Sequence, residues 1–136
     1  MGVVYKAEDV ALSRTVALKR IDPSLANDET FLRRFRSEAR ALARIDSPHI
    51  VSVHALRKTD LGLLIVMEYV DGGTIKDRIM ADGAMDLDDA LPLVGHMLAA
   101  LEDAQGAGVI PRDIKPHNIR PASRGRRKVT DFRMAH

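Results

Sequence analysis

Apolar residues along this chain follow two different spacings, and the changes between them predict the order of its secondary structure. Alternation in Val3–Glu8 and again in Thr15–Arg20 predicts two β-strands joined by a polar turn. Between about Asp28 and Arg44 apolar residues recur every three or four positions, which predicts an amphipathic helix with Asn27 or Asp28 as its N-cap. The same criteria predict two further strands and then two further helices, at Ile50–Leu56, Leu63–Glu68, Thr74–Ala81 and Leu87–Ala107. A strand-rich front half and a helical back half are typical of the α+β class.

Both long helices carry a continuous apolar stripe, which predicts that one face of each helix packs on other parts of a domain. The stripe of the first consists of Phe31, Phe35, Ala39, Leu42 and Ile45, and that of the last consists of Leu87, Leu91, Val94, Leu98, Leu101 and Ala104.

The composition is that of a globular domain or of part of one. The chain has 136 residues, of which 46% are hydrophobic and 29% are charged, so general disorder is not expected. It contains no cysteine, which excludes a disulfide scaffold, a thiolate metal site and a cysteine nucleophile. The longest apolar run, Leu63–Met67, is far shorter than the roughly 20 residues of a membrane span. No leader-like segment opens the sequence. The absence of cysteine fits a cytoplasmic location, which is the expected one.

The formal net charge of +2 conceals a strongly basic carboxyl-terminal segment. Residues Pro111–His136 contain eight Arg or Lys and two Asp, a net charge of +6, which suggests phosphate or nucleic acid as a partner. The alternative is a solvated basic loop. Because Phe132 is the one aromatic residue of this segment, no stacking platform for bases is evident, and nucleic acid is not an expected partner.

Two charged residues in the first half are candidates for an ion pair. Ala17 and Lys19 fall on the same face of a predicted strand, where the small Ala17 leaves room for a flat ligand and Lys19 supplies a cation. Glu38 lies three residues after Phe35 on the following helix, at the apolar stripe, where a carboxylate is costly unless it is paired. Either Glu38 pairs with Lys19, or it lies at the edge of the stripe and reaches water.

A cluster of polar residues in the last third has the composition of a phosphoryl-transfer site. Asp113 can accept a proton from a hydroxyl, and Lys115 can neutralise a transferring phosphoryl group. Asn118 and Asp131 provide the hard oxygen donors that Mg²⁺ prefers. Any one of these residues alone indicates only a polar loop, but this combination rarely arises by chance.

These segments together resemble the catalytic domain of a eukaryotic-type serine/threonine protein kinase, of the kind also found in bacteria. Val16–Lys19 is similar to the strand that carries the phosphate-binding lysine, with Glu38 as its helix partner. Val66–Val70, followed by two glycines, resembles the hinge that binds adenine through its backbone, with Met67 in the gatekeeper place. Arg112–Asn118 resembles the catalytic loop, and the Asp-Phe pair at 131 and 132 resembles the start of the Mg²⁺-binding triplet.

The resemblance implies a bilobal fold that uses ATP and Mg²⁺ and acts on Ser or Thr hydroxyls of a protein substrate. Asp113 would deprotonate the hydroxyl, and Lys115 would steady the γ-phosphoryl group. Asn118 and Asp131 would hold Mg²⁺. The implied nucleotide-binding residues are Lys19, Glu38, Ala17, Val4, Met67, Glu68 and Val70.

Four residues depart from the pattern of the family it resembles. Pro111 stands in place of a histidine, and Arg133 in place of a glycine that permits unusual backbone angles. Arg120 stands where an apolar residue would lie under adenine, so that its stem covers the ring and its head reaches water. Pro121 removes a ladder donor from the short strand that follows.

The resemblance covers a kinase domain truncated at both ends, because it starts at the last glycine of the glycine-rich loop, Gly2, and stops just past the Mg²⁺-binding triplet. Residues 1–70 are then expected to form a partial N-terminal lobe and residues 71–136 a partial C-terminal lobe, in which the last helix lacks much of its packing surface. The implied function is that of a serine/threonine kinase domain, impaired or inactive as an isolated chain. The alternatives are a pseudokinase-like binding module and a non-functional fragment.

Overall fold

The structure is a computed structural model, and it describes residues 3–25, 28–60, 62–109, 113–121 and 127–130. These residues form two compact units. Among the described residues, the first comprises those up to Arg44 together with Ser52–Tyr69, and the second comprises Ile45–Val51 together with those from Val70 to Thr130. No helix in the described ranges is long and apolar enough to cross a membrane.

The first unit is built on a four-stranded antiparallel sheet with the strand order β1-β2-β4-β3. Its central strands carry the most deeply buried side chains, such as Val16 at 2% exposed and Ile65 at 0%. Gly62, the first residue of β4, has a φ of +101°, a conformation that side chains other than glycine rarely adopt. The strands are β1 (Val4–Asp9), β2 (Arg14–Arg20), β3 (Val53–Thr59) and β4 (Gly62–Glu68).

Helix α1 spans Glu29–Leu42 and also belongs to the first unit. It begins where the Asp28 carboxylate accepts hydrogen bonds from two main-chain N–H groups of the first turn, at 2.9 and 3.0 Å. These N–H groups have no partner within the helix, so the cap stabilises the helix start. The Phe31 and Phe35 rings stack with 5.8 Å between their centroids. The fully buried residues of the helix are Phe35, Ala39 and Leu42, as the predicted stripe requires.

The second unit combines helices with a small antiparallel sheet. Ile50 forms a parallel bridge with Val129 of that sheet, and the Val51 N–H donates to the Val129 carbonyl at 3.0 Å. Ile50, Ile119 and Val129 are each 2% exposed and form the core beside the sheet. The elements are α2 (Ile75–Asp82), α3 (Leu87–Gly106), a 3₁₀ turn (Pro116–Asn118), β5 (Ile119–Pro121) and β6 (Arg127–Val129).

Helix α3 buries very little of its apolar stripe. Ala104 is 0% exposed, but four members of the stripe lie open on the surface of the described residues. Their exposed fractions are 74% for Leu87, 65% for Leu91, 49% for Val94 and 61% for Leu98. The apolar face of α3 is therefore present as predicted, and most of it is uncovered.

Two histidines of the second unit stack on each other. The rings of His49 and His96 lie with centroids 4.7 Å apart and an interplanar angle of 21°. The Nδ1 atoms of both rings are buried and have no hydrogen-bond partner in the described residues. Burial lowers the pKa of His96, and the neighbouring His49 and Arg127 act in the same direction.

One predicted strand was displaced. The strand predicted at Ile50–Leu56 is in fact Val53–Thr59, because Ile50 and Val51 leave the first unit and bond to Val129 in the second. Their apolar character reflects burial in that second core, at 2% and 4% exposed. The other predicted strands and helices lie within two residues of the observed bounds.

Candidate functional site

The sheet of the first unit brings four of the predicted nucleotide-binding residues to one face. Val4 lies directly opposite Lys19 across β1 and β2, and Ala17 lies opposite Met67 across β2 and β4. Opposed residues of antiparallel strands share a face, and so do residues two apart on one strand. Ala17 and Met67 are buried at 8% and 7% exposed, Lys19 is half-buried and Val4 is exposed. This face therefore offers an apolar floor with a cation beside it.

Glu38 lies on α1 one turn after the buried Phe35 and is itself partly buried. Lys19 and Glu38 are each engaged in a polar or electrostatic interaction. Both residues belong to the first unit, and their pairing with each other stays a prediction.

The end of β4 is fastened to the start of β3 by two hydrogen bonds. The main-chain N–H of Glu68 donates to the Ser52 carbonyl at 2.9 Å, and one oxygen of the Glu68 carboxylate accepts from the Ser52 N–H at 3.2 Å. The Glu68 side chain thus orients the backbone at the end of β4. Val70 lies two residues after Glu68 and is 8% exposed. The Lys6 ammonium lies 4.7 Å from the centre of the Tyr69 ring, a cation–π contact that sequence reasoning missed.

The polar cluster of the second unit, Asp113, Lys115 and Asn118, is joined by hydrogen bonds. The Lys115 ammonium lies 2.7 Å from one carboxylate oxygen of Asp113. The side-chain amide of Asn118 donates to the main-chain carbonyl of Asp113 at 2.8 Å. The 3₁₀ turn Pro116–Asn118 closes this loop, and the Asn118 carbonyl accepts from the Thr130 N–H at 2.8 Å. The fold therefore brings together three of the residues proposed from the sequence and ties them to the strand that follows.

The donor atoms of this cluster fit a magnesium ion on one side. The amide nitrogen of Asn118 is used by the Asp113 carbonyl, and the hydrogen bonds of Asn118 in the described residues leave its Oδ1 available to a cation. Amide and carboxylate oxygens are the ligands that Mg²⁺ prefers. The second predicted ligand, Asp131, lies outside the described residues, as do Pro111 and Arg133.

Arg120 makes a contact that the sequence did not predict. Its guanidinium donates to the Gly72 carbonyl at 2.5 Å. The φ of Gly72 is +87°, which favours glycine, and a Cβ there would also lie 3.3 Å from the Pro121 side chain, a tight contact. Strand β5 thus contacts the connector, by which we mean the residues between Val70 and α2. The glycine pair at 72 and 73 was the one sequence signal that another part of the backbone comes close to this segment.

The connector leads into α2 through a capping box. The Thr74 hydroxyl accepts from the Asp77 N–H at 3.1 Å, and the Asp77 carboxylate accepts from the Thr74 N–H at 2.6 Å. The main-chain and side-chain hydrogen bonds from Thr74 lower the pKa of Asp77, and the charge of Arg120 lowers it further. The start of α2 is therefore fixed next to the connector.

Comparisons with known proteins agree with the predicted family. A model of the protein kinase domain matches residues 1–136. The chain is 44% identical over 135 residues to serine/threonine-protein kinase PrkC of Bacillus subtilis, which is 99% of this chain and 21% of that protein. It is 40% identical over 131 residues to serine/threonine-protein kinase PknL of Mycobacterium tuberculosis, covering 96% of this chain and 33% of that one. The chain thus spans a fifth to a third of the curated relatives named here.

A solved structure gives the same result for the fold. The crystal structure of the Mycobacterium tuberculosis PknI kinase domain matches with a TM-score of 0.86 and 33% identity, covering 100% of this chain and 56% of that domain. The predicted α+β, kinase-like partial fold is confirmed by this match.

Proposed function

Because the chain belongs to the protein kinase family, we propose that it binds ATP with Mg²⁺ and provides the catalytic loop of a serine/threonine kinase. In that reaction the γ-phosphate of ATP passes to a Ser or Thr hydroxyl of a protein substrate. The observation that carries the proposal is the geometry around Asp113, whose carboxylate accepts from Lys115 at 2.7 Å and whose main-chain carbonyl accepts from the Asn118 amide at 2.8 Å.

Asp113 is the proposed proton acceptor. The hydroxyl proton passes to its carboxylate as the hydroxyl oxygen bonds to the γ-phosphorus, and the electron pair of the breaking P–O bond stays with ADP. The Asp113 side chain is 19% exposed and is held by the Lys115 ammonium, while Asn118 holds its main-chain carbonyl. The acceptor is therefore oriented before a substrate arrives, and catalysis of this class depends mainly on such positioning.

Lys115 is proposed to steady the γ-phosphoryl group. Its ammonium already lies at the carboxylate that would receive the proton, and its side chain is 39% exposed, so it can reach a phosphate oxygen from the same place. A positive charge at this point offsets the negative charge that spreads over the phosphoryl oxygens in the transition state.

The sheet face of Val4, Ala17, Lys19 and Met67 is proposed to take the nucleotide. The buried pair Ala17 and Met67 offers an apolar contact for adenine, and Lys19 offers a cation for the α- and β-phosphates, with Glu38 as its positioning partner. The backbone at Glu68 and Val70 is proposed to bind the adenine edge, and the division near residue 70 is proposed as the boundary between two partial lobes.

Asn118 and Asp131 are proposed to hold Mg²⁺, whose charge offsets that of the ATP phosphates. The fit rests on the Asn118 Oδ1, as described above for the second unit. The hydrogen bond from the Asn118 side-chain amide to the Asp113 carbonyl orients this oxygen.

A second candidate function is a binding module that no longer transfers phosphate. Arg120 favours it, because a guanidinium fastened to the Gly72 carbonyl stands where the family pattern has an apolar residue under adenine. This candidate predicts partner binding that is unchanged by Asp113→Asn and by Lys19→Ala.

The first test is thermal unfolding of the chain with and without Mg-ATP. Ligand at a hundred times its Kd should add about 2.7 kcal/mol, which is a rise of about 10 °C in Tm for a chain of this size. Lys19→Ala should abolish that rise, and the control Lys58→Ala, an exposed lysine of β3, should retain it. A rise that is equal in both variants would refute the assignment of Lys19.

Transfer itself is tested with γ-labelled ATP and a Ser/Thr-rich acceptor protein. Asp113→Asn should lower the rate by about 10²-fold or more while the Tm rise with Mg-ATP persists. Nucleotide binding without any transfer in the unmodified chain would favour the second candidate. Transfer that survives Asp113→Asn would remove Asp113 as the proton acceptor.

A further inference from the structure

The solvent side of α1 carries an unusual density of arginine. We call Arg33, Arg36, Arg40 and Arg44 the arginine stripe, because they recur every three or four positions along and just past the helix. All four are exposed, as is the neighbouring Arg34. Within the described part of the chain, no guanidinium of these five residues has a hydrogen bond or an ion pair.

The arginine stripe lies on the side of the helix away from the buried residues. Phe35, Ala39 and Leu42 mark the buried side, and each stripe residue within the helix lies about a quarter of a turn or more from the centre of that side. The apolar side of α1 is thus occupied, and the arginine side is the surface that a partner in solution would meet.

The stripe has a cost to the isolated chain. Like charges three or four positions apart on a helix repel each other, and the stripe contains three such steps in succession. The acidic residues of α1 offset only part of this repulsion: Glu29 lies four positions before Arg33, whereas neither Glu29 nor Glu38 lies three or four positions from Arg36 or Arg40. An anionic partner along the stripe would relieve this repulsion.

The chemistry of the stripe fits phosphate groups on an extended protein segment. All of its cations are arginines, whose planar fork binds phosphate and carboxylate oxygens in pairs. Successive stripe residues are about 4.5–6 Å apart along the axis, since a helix rises about 1.5 Å per residue. Alternate side chains of an extended chain recur about every 7 Å. A segment with phosphoserine or phosphothreonine at alternate positions would therefore meet successive arginines.

Two other anionic surfaces fit less well. A helix that lies on a membrane inserts an apolar face into it. The apolar face of α1 is buried within the protein, with Phe35 at 1% exposed. Single-stranded nucleic acid needs aromatic side chains beside the cations, and the aromatic rings of α1, Phe31 and Phe35, stack on each other toward the core. We propose that the arginine stripe of α1 is a docking surface for a phosphorylated, acidic protein segment, a proposal that does not depend on phosphotransfer by this chain.

The test is fluorescence anisotropy of a labelled peptide that carries phosphoserine at three alternate positions, titrated with the whole chain. The unphosphorylated peptide should bind at least about tenfold more weakly, because an arginine fork gains most from a doubly charged phosphate. Binding should weaken as salt increases, as expected for exposed charges.

Matched variants localise the binding. Arg36→Gln with Arg40→Gln should weaken binding about tenfold or more. The control Arg57→Gln with Lys58→Gln removes two exposed charges from β3 and should change binding less than about twofold. Arg36→Lys with Arg40→Lys keeps the charge and loses the forks, so it should give an intermediate loss. Circular dichroism confirms that each variant is folded.

Several outcomes would overturn the proposal. No binding of the phosphorylated peptide, or an equal loss in the β3 control, would show that the stripe is only a solvated surface. Equal binding of the unphosphorylated peptide would remove phosphate recognition. Tighter binding of a single-stranded oligonucleotide or of anionic lipid vesicles, lost in the Gln variant, would assign the stripe to that class of partner instead.

Discussion

Phe35 is the largest of the buried side chains of α1. It is 1% exposed, and its ring stacks on Phe31 at a centroid distance of 5.8 Å. Truncating a fully buried Phe to Ala removes about 3–5 kcal/mol, a large part of the total of about 5–15 kcal/mol that stabilises a typical domain. Phe35→Ala should therefore destabilise the first unit severely, and Phe35→Leu should do so to a smaller extent.

Thermal unfolding measured by circular dichroism gives the size of the effect. At about 4 °C or more per kcal/mol for a unit of this size, Phe35→Ala should lower the Tm by at least ~12 °C. The control is Ser37→Ala, an exposed position two residues further along the same helix. Since Ala is the better helix former by a few tenths of a kcal/mol, this control should leave the Tm unchanged or slightly raised.

Hydrogen exchange of the α1 amides separates local from global loss. Faster exchange confined to the first unit in Phe35→Ala would place the damage where the packing predicts. A Tm for Phe35→Ala within about 2 °C of the Ser37→Ala control would refute the reasoning, because a side chain so fully buried cannot be removed without a cavity.

Three further predictions follow from the same structure. The folded state lowers the pKa of His96 below its ordinary value of 6.5 because burial disfavours the charged ring. The unfolded chain therefore takes up the proton first, so stability is complete above about pH 7 and falls as the pH drops through 6.5. His96→Gln should flatten the dependence of Tm on pH in that window, leaving the part due to His54, whose pKa is also lowered; an unchanged slope would contradict the assignment. Asp28→Ala removes the cap of α1 and should cost about 1 kcal/mol by denaturant unfolding, whereas Asp28→Asn should restore most of it. Asn118→Ala leaves the Asp113 carbonyl without its donor and should lower the free energy of unfolding by about 1–3 kcal/mol. It should also weaken the effect of Mg²⁺ on ATP binding in a calorimetric titration. A variant with normal Mg²⁺ dependence would exclude Asn118 as a ligand.

Periodicity predicted most of the fold because each element of the first unit follows a simple rule. The strand with Ala17 and Lys19 alternates, and α1 repeats every three or four residues between a capping Asp28 and its buried end. The predicted strand was wrong at Ile50 and Val51, because an apolar run indicates that residues are buried but does not indicate in which core they are buried. Their partner, Val129, is far away in the sequence and carries no local signal.

Motif spacing identified the residues of the candidate site but not their mutual contacts. Nothing in the order of residues 113–118 states that Asn118 holds the main chain of Asp113 while Lys115 holds its carboxylate. The use of the Glu68 carboxylate to bind the Ser52 backbone was equally invisible. Such contacts depend on how a loop closes, which residue types alone do not determine.

The path of the chain through the two units has a consequence for synthesis on the ribosome. The chain leaves the first unit at Ile45, returns to it at Ser52 and leaves again at Val70. The sheet of the first unit can close once β4 has emerged, because its strands lie within the first half of the sequence. The second unit has to wait for Val129, which pairs with Ile50 across 79 positions. During that interval the early segment with Ile50 and Val51 remains without its core, so the nascent chain exposes apolar surface until Val129 has been made.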